Sequence, residues 1–297
     1  MSRRTKANKS IEEVEWYDRR YVELLPQSTA QWDNVGSYSY IADHLDILGD
    51  AVHLDIGSGD ARLLEKLRGR FQRAVLLGVE RNPHLIRHAE ARLKKAGIPA
   101  QGYVSQKLTN HPGGVRRTYL AHHETLARMD MLREPGPISF IADDIRSGLV
   151  VRQVLGDRKL DSASFTFPGF SDSAFLEESP HEDRMMRVQR LAEESKEAAY
   201  IFMATFVKPG GVIALAERHR HGDPVGIGGY EFFMGRNWGY WNNPVFHTFD
   251  LEGTHNARPV LRTLIPGTVA DGPRIEPMVI GKISILFLKR NSREVTL

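Results

Sequence analysis

Leu54-Asp-Ile-Gly-Ser-Gly-Asp-Ala-Arg62 and, a little further on, Gly78-Val-Glu-Arg-Asn-Pro83 decide how this chain is read. Ala51–Ile56 is a short, mostly apolar run that reads as a strand, Gly57-Ser-Gly-Asp60 as a loop, and Ala61–Arg70 as a helix. Val75–Val79 is a second apolar strand ending at Glu80, and Asn82 then stands as N-cap before Pro83 at the first helical position. That helix runs to about Lys95 and stops before Gly97. The rhythm repeats. Ile138–Ala142 predicts a third strand ending at Asp143-Asp144, and Leu160–Phe167 a fourth. A long helix between about Glu182 and Val207, the turn Lys208-Pro-Gly-Gly211 and a fifth strand over Val212–Ala216 follow. Strands alternating with helices imply an α/β fold with a doubly wound, mostly parallel sheet.

Outward from this frame, residues 1–50 form a basic tail and an arm. The arm reads as helical pieces broken at Pro26 and Gly36, with Trp16, Tyr17, Tyr21, Trp32, Tyr38 and Tyr40 either stapling it to the core or covering a ligand. Residues 51–297 form the main domain, interrupted at about 98–137 and 219–255. The first interruption is basic. The second is rich in glycine and aromatics: Tyr230, Phe232, Phe233, Trp238, Tyr240, Trp241 and Phe246. Val260–Leu264 and Val279–Leu288 are expected to be two more strands, an antiparallel pair closing the sheet.

The composition excludes several chemistries. The 297 residues contain no cysteine, which removes disulfides, thiolate metal sites and thiol nucleophiles. The twelve histidines are scattered without the spacing of a zinc helix, so no metal is expected. The N-terminal stretch with Arg3, Arg4, Lys6 and Lys9 lacks an apolar segment, and the run around Ile283–Leu288 is too short to cross a bilayer. A soluble, cytoplasmic protein is the expectation, with no membrane partner. The net charge of +3 and pI near 9.0 are mild.

Ligands of an open α/β sheet bind at the carboxyl ends of the strands, where the direction of connection reverses. Gly57 and Gly59 allow a sharp turn and close approach of the backbone to a ligand. Glu80, ending the second strand, is placed to accept both hydroxyls of a ribose. Asp144 or its neighbour Asp143, ending the third, is placed to accept an adenine amine, and Asp55 to hold the loop and attract an amino group. Any one of these glycines is explained by a tight turn, and any one of the acids by a helix cap. Their order along the chain argues for a nucleoside-like ligand. A dinucleotide fingerprint would require glycine or alanine where Arg62 stands, and Asp55 and Asp60 would repel a pyrophosphate while suiting an ammonium and a sulfonium.

These segments resemble the class I, seven-stranded S-adenosylmethionine (SAM)-dependent methyltransferases, from about Ala51 to Ala216 and on toward the C-terminus. Asp55, Gly57 and Gly59 match that family's glycine loop, Glu80 its ribose acid, Asp144-Ile145 its adenine-flanking segment, and Lys208-Pro-Gly-Gly211 a frequent turn. Ala61 departs from the usual third glycine. The resemblance implies a sheet order of 3-2-1-4-5-7-6 with strand seven antiparallel, and SAM as cofactor. The expected cofactor-binding residues are Asp55, Gly57, Ser58, Gly59, Glu80, Arg81, Asp143, Asp144, Ile145 and Thr166.

SAM carries an activated methyl group, so the protein's task is alignment and exclusion of water, with a base where the acceptor must lose a proton. Thr166, Phe167, Asp172, Glu217, His219 and His221 lie near the carboxyl ends of strands four and five, and His219 with Glu217 are the candidate catalytic groups. Phe167-Pro-Gly-Phe170 lacks the amide or carboxylate that precedes proline in DNA adenine methyltransferases. The loop is similar to that of non-SET protein-lysine methyltransferases, and the Phe-Pro pair more distantly to tRNA guanine-N7 methyltransferases. The acceptor, at nitrogen or oxygen, stays open among small molecule, protein and RNA. Aromatic walls with Glu231 suit a cationic compound, whereas Arg116, Arg117 and Arg128 suit RNA or an acidic partner. A catalytically silent SAM-binding scaffold or activator subunit would keep the same cofactor residues.

Overall fold

The computed structural model describes residues 3–34, 36–45, 47–111, 114–120, 136–166, 184–218, 249–251 and 283–290. In chain order its elements are α1 (Arg3–Asn34), α2 (Ser37–His44), β1 (Val52–Ile56), α3 (Arg62–Arg70), β2 (Val75–Glu80), α4 (Pro83–Lys95), β3 (Ala100–Tyr103), β4 (Gln106–His111), β5 (Gly114–Tyr119), β6 (Ile138–Ala142), α5 (Leu149–Leu155), β7 (Leu160–Thr166), α6 (Arg184–Phe206), β8 (Val207–Arg218), β9 (Phe249–Leu251) and β10 (Ile283–Arg290).

Every residue of β1 and β6 is buried, as expected of parallel strands covered on both faces. Leu54 and Ile56 from β1 and Phe140 from β6 lose essentially all contact with water, each contributing about 1.5–3 kcal/mol of hydrophobic stabilisation. The helices follow the same logic: α4 buries Pro83, Leu85, Ile86, Ala89 and Leu93 along one face. Its start is as the sequence reads, with the Asn82 side chain accepting from the His84 N–H and Pro83 beginning the first turn.

The main sheet has eight strands in the order β3-β6-β2-β1-β7-β8-β10-β9, and β10 runs against both its neighbours. From β6 to β9 this is the expected order of seven. β3 is an addition on the outer edge, parallel to β6, so the stretch at 98–137 is not wholly outside the sheet. It is hard to see in sequence because Ala-Gln-Gly-Tyr is short and weakly apolar. Gly102 is required there: a Cβ would sit 2.6 Å from Cγ2 of Ile86. The same stretch then forms the β4–β5 hairpin, a separate two-stranded sheet.

Three further expectations change. Lys208-Pro-Gly-Gly211 is a bulge inside β8 rather than a turn before it, since Leu160 pairs with Val207 and Ser162 already with Val212. Strand β9 falls within the 219–255 stretch, and the strand expected at Val260–Leu264 lies outside the described residues. Finally, α1 continues through Pro26. A mid-helix proline costs about 3 kcal/mol, and here polar ties to the core on both sides of it hold the helix in place. Gly36, in the left-handed conformation at φ 80°, does separate α1 from α2. No described helix is long and apolar enough to cross a membrane.

Candidate functional site

The chain leaves β1 toward β2 and β6 on one side and toward β7 on the other, which places a topological switch point at the carboxyl ends of β1 and β7. A cavity of about 100 Å³ lies there. All ten residues expected to bind the cofactor line it: Asp55, Gly57, Ser58, Gly59, Glu80, Arg81, Asp143, Asp144, Ile145 and Thr166.

The loop after β1 curls over the end of β2. The Gly57 and Ser58 N–H groups both donate to the Val79 carbonyl, at 2.8 and 3.0 Å, and the Gly59 N–H donates to Oε2 of Glu80 at 3.1 Å. Oε1 of Glu80 accepts from the Asn82 N–H at 2.8 Å, so this one carboxylate joins the loop to the end of β2. Gly57 and Gly59 adopt φ 69° and 53°, and Ala61 follows at φ 65°, the one non-glycine residue with positive φ among the described residues. Ala61 therefore holds a left-handed conformation that glycine adopts without penalty, at a strain cost of about 1–2 kcal/mol.

Behind the loop, Asp55 is buried, and its Oδ1 accepts from the Ser164 hydroxyl at 2.6 Å. Ser164 also meets Nε2 of His53 at 3.0 Å, and Nδ1 of His53 meets the Ser162 hydroxyl at 2.8 Å. Because the Ser164 proton is committed to Asp55, Nε2 of His53 is the donor and Nδ1 the acceptor. Burial drives His53 down to about 3, so this ring is neutral. Burial also drives Asp55 up to about 7, against the Ser164 hydrogen bond and with added repulsion from Glu80. Glu80 is likewise raised by burial. Among the described residues no basic side chain pairs with either acid.

The two acids after β6 separate into different roles. Both oxygens of Asp143 bind backbone: Oδ1 accepts from the Asp144 N–H, and Oδ2 from the N–H groups of Val150 and Val151 at the start of α5. Burial raises Asp143 to about 6 despite these bonds. Asp144 is held by Arg81, at 3.1 Å, and by Arg146, at 2.7 Å. Burial pushes Asp144 up, but these guanidinium groups outweigh it and bring it to about 2.

Asp60 does not face a ligand. It is buried, bonded to Thr29 at 2.8 Å and to Arg62 at 2.9 Å, so its charge is compensated and contributes little repulsion toward a phosphate. Arg62 also reaches Asp33 of α1 at 3.2 Å. Further along α1, Asp18 pairs with Arg117 of β5. Arg117 is thus a structural tie, not an exposed basic contact, whereas Arg116 beside it is exposed. Arg128, His219, His221, Asp172, Phe167–Phe170 and Glu231 lie outside the described residues, and Glu217 is placed through its backbone, in register with Ser284 of β10.

The cavity is also lined by residues outside the expected cofactor set. Tyr21 and Trp32 of α1 and Tyr38 of α2 read from sequence as aromatics that staple the arm or cover a ligand, and Arg117 as a basic contact. Asp18, Leu25 and Thr29 of α1 and Ser195 of α6 are not singled out by the sequence reading. A signal for the α1 set is present. Positions 18, 21, 25, 29 and 32 recur every three or four residues, the period of one helix face. Of the N-terminal aromatics, Tyr21, Trp32 and Tyr38 cover the cavity, whereas Tyr40 packs against His44 and Phe287, and Trp16 stays half exposed.

The strand order with a reversed β10, together with a glycine loop at the switch point, is decisive. The fold is that of the class I SAM-dependent methyltransferases. No family model matches the sequence, and no curated protein is similar to it. Solved structures with related folds include a TehB-like SAM-dependent methyltransferase from Corynebacterium glutamicum, at 12% identity and TM-score 0.44, covering 92% of this chain and 99% of that one. Geranyl diphosphate C-methyltransferase from Streptomyces coelicolor matches at 11% identity and TM-score 0.46, covering 86% and 78%. DesVI from Streptomyces venezuelae matches at 18% identity and TM-score 0.35, covering 66% of this chain and 56% of that one. Three of the matched chains are spanned over only 59%, 56% and 43% of their length.

Proposed function

We propose that this methyltransferase fold binds SAM in the cavity at the switch point and transfers its methyl group to a nitrogen or oxygen acceptor. The observation that carries the reading is the pair of acids Asp55 and Glu80. They close the ends of β1 and β2 against one cavity, burial raises both, and no described basic group offsets them. Such a site favours a ligand that brings its own positive charge and hydroxyl donors.

In this reading Glu80 accepts from the ribose hydroxyls through lone pairs left beside its two backbone bonds. Asp55, steadied by Ser164, faces the ammonium end, while Gly57, Ser58 and Gly59 bring backbone close to the ligand. Asp144 and Ile145 flank the adenine with Arg81 behind them, whereas Asp143 serves α5 and shapes the wall. Bound SAM would supply a methyl group on a positive sulfur. Thr166, at the end of β7, lines the same cavity, and Tyr21, Leu25 and Trp32 of α1, which also line it, would limit the access of water to a bound ligand. His219, with Glu217 just before it in the chain, is the candidate base for an acceptor that must lose a proton.

Calorimetry with SAM and with S-adenosylhomocysteine, followed by transfer of labelled methyl into protein, RNA and small-molecule fractions of a cell extract, tests this. Binding and transfer that both fall in Asp55→Asn and Glu80→Gln support the assignment. Absence of SAM binding by the intact protein overturns it.

A further inference from the structure

His53 and Asp55 of β1 are in register with Ser162 and Ser164 of β7. Alternate residues of a strand share one face of the sheet, so these four polar side chains form a ladder between neighbouring strands. Each is at most 1% exposed, while the intervening Leu54 and Ala163 are apolar. Polar groups buried this deeply cost stability unless they are paired, and an apolar ladder would carry no such cost.

The hydrogen bonds of this ladder run in one direction. An ionised Asp55 can only accept, so the Ser164 hydroxyl donates to its Oδ1 at 2.6 Å. The Ser164 oxygen receives the Nε2–H of His53 at 3.0 Å, and Nδ1 of that ring receives the Ser162 hydroxyl at 2.8 Å. Three donors in series thus end on one carboxylate, and successive bonds of this kind strengthen one another. His53 sets the direction. Its neutral ring has one donor and one acceptor, so it occupies the Ser164 oxygen and leaves that hydroxyl's proton for Asp55.

Asp55 also lines the cavity, and among the described residues Ser164 is the one side chain that hydrogen-bonds it. Burial opposes its charge most, the Ser164 bond favours it, and Glu80 of β2 repels it. Tyr38 of α2 stays protonated, since burial and then the charges of Asp60 and Asp55 raise it. The other charged groups lining the cavity are engaged elsewhere: Arg81 with Asp144, Arg117 with Asp18, and Asp143 with the backbone of α5.

We propose that His53 and Ser164 are positioning residues, which favour and orient the ionised form of Asp55 for a cationic ligand in the cavity. That the ligand is the amino group of SAM rests on the methyltransferase reading; the donor ladder does not.

The test is calorimetric titration of S-adenosylhomocysteine, which keeps that amino group, into the full chain at a series of pH values. Ser164→Ala is expected to weaken binding about ten-fold or more at about pH 7 and much less at about pH 9, where Asp55 ionises without help. His53→Phe should shift the profile in the same direction by less. His53→Gln, whose amide can again donate to Ser164, should return it toward that of the intact chain. Variants that lower affinity equally at every pH, or leave the profile unchanged, overturn the positioning role. Nitrogen NMR of the His53 ring in the intact chain needs neither ligand nor variant. At about pH 8 the ring should be the Nε2–H tautomer, and it should stay neutral down to about pH 5. An Nδ1–H tautomer, or protonation near the ordinary value of about 6.5, overturns the direction of the ladder and the proposal with it. If the intact chain binds no S-adenosylhomocysteine at any pH, the methyltransferase reading fails instead, and the ring spectrum still decides the ladder.

Discussion

Arg117 of β5 and Asp18 of α1 meet at 2.5 Å, with 2% and 3% of their side chains accessible to water. Removing one member of such a pair leaves an uncompensated buried charge. Arg117→Ala and Asp18→Ala are each expected to lower stability by about 3–5 kcal/mol, whereas replacing both with apolar residues of similar volume should cost much less. Urea denaturation of the two single variants and the double variant measures the difference.

Asp55 titrates near 7 in the fold, above its unfolded value of about 4, so the folded chain keeps a proton that the unfolded chain has lost. That contribution to stability is full below about pH 4 and is lost as pH rises through 7. Asp143, raised to about 6, acts in the same direction. His53 acts oppositely: held near 3, it contributes stability above its unfolded value of about 6.5, lost as pH falls toward 3. Asp55→Asn should therefore raise the melting temperature more at about pH 8 than at about pH 5. An equal shift at both would show that Asp55 titrates normally.

A cationic ligand facing Asp55 needs it ionised. S-adenosylhomocysteine keeps the amino group of SAM, and its affinity is expected to fall as pH drops below about 7, by up to ten-fold per unit. Asp55→Asn should bind more weakly at high pH and lose most of this dependence. Calorimetry at a series of pH values reads both effects.

Ala61 holds φ 65° with no contact to water. Glycine relieves that strain while adding freedom to the unfolded chain, so Ala61→Gly should stabilise the protein by about 1 kcal/mol. Melting temperatures of the two proteins decide it, and a loss would mean that the methyl group's packing outweighs the strain.

Gly78 leaves no room for a side chain: a Cβ would lie 2.7 Å from Cδ1 of Phe140 and 2.8 Å from Oγ of Ser58. Gly78→Ala is expected to cost about 1–3 kcal/mol and, by displacing Ser58 in the glycine loop, to weaken S-adenosylhomocysteine binding as well. Retention of full affinity would separate the position of Ser58 from ligand binding.

The central strands are legible because burial on both faces makes them continuous apolar runs, so Ile138–Ala142 agrees to the residue and β1, β2 and β7 to within one. The helix start at Asn82-Pro83 is legible because a cap is a local hydrogen bond. Other features depend on partners that local pattern does not reveal. Pro26 reads as a break, yet Asp18 on one side and Thr29 and Asp33 on the other are tied to the core and carry α1 past it. β3 joins the sheet because β6 offers an edge, not because Ala100–Tyr103 is strongly strand-forming. Asp60 and Arg62 look like part of a ligand loop and turn out to fasten α1.

Sequence alone determined the α/β class, the glycine loop and the acids at the strand ends, because each is written in contiguous residues whose backbone preferences and apolar spacing act locally. Tertiary structure decided which charges face the cavity and which are spent on structure. Asp55 and Ser164 are 109 positions apart, and Asp18 and Arg117 are 99 apart. Only the packing of strand against strand and helix against hairpin brings such groups within hydrogen-bonding distance, and only their burial together makes one aspartate a weak acid while its neighbour two strands away stays fully ionised.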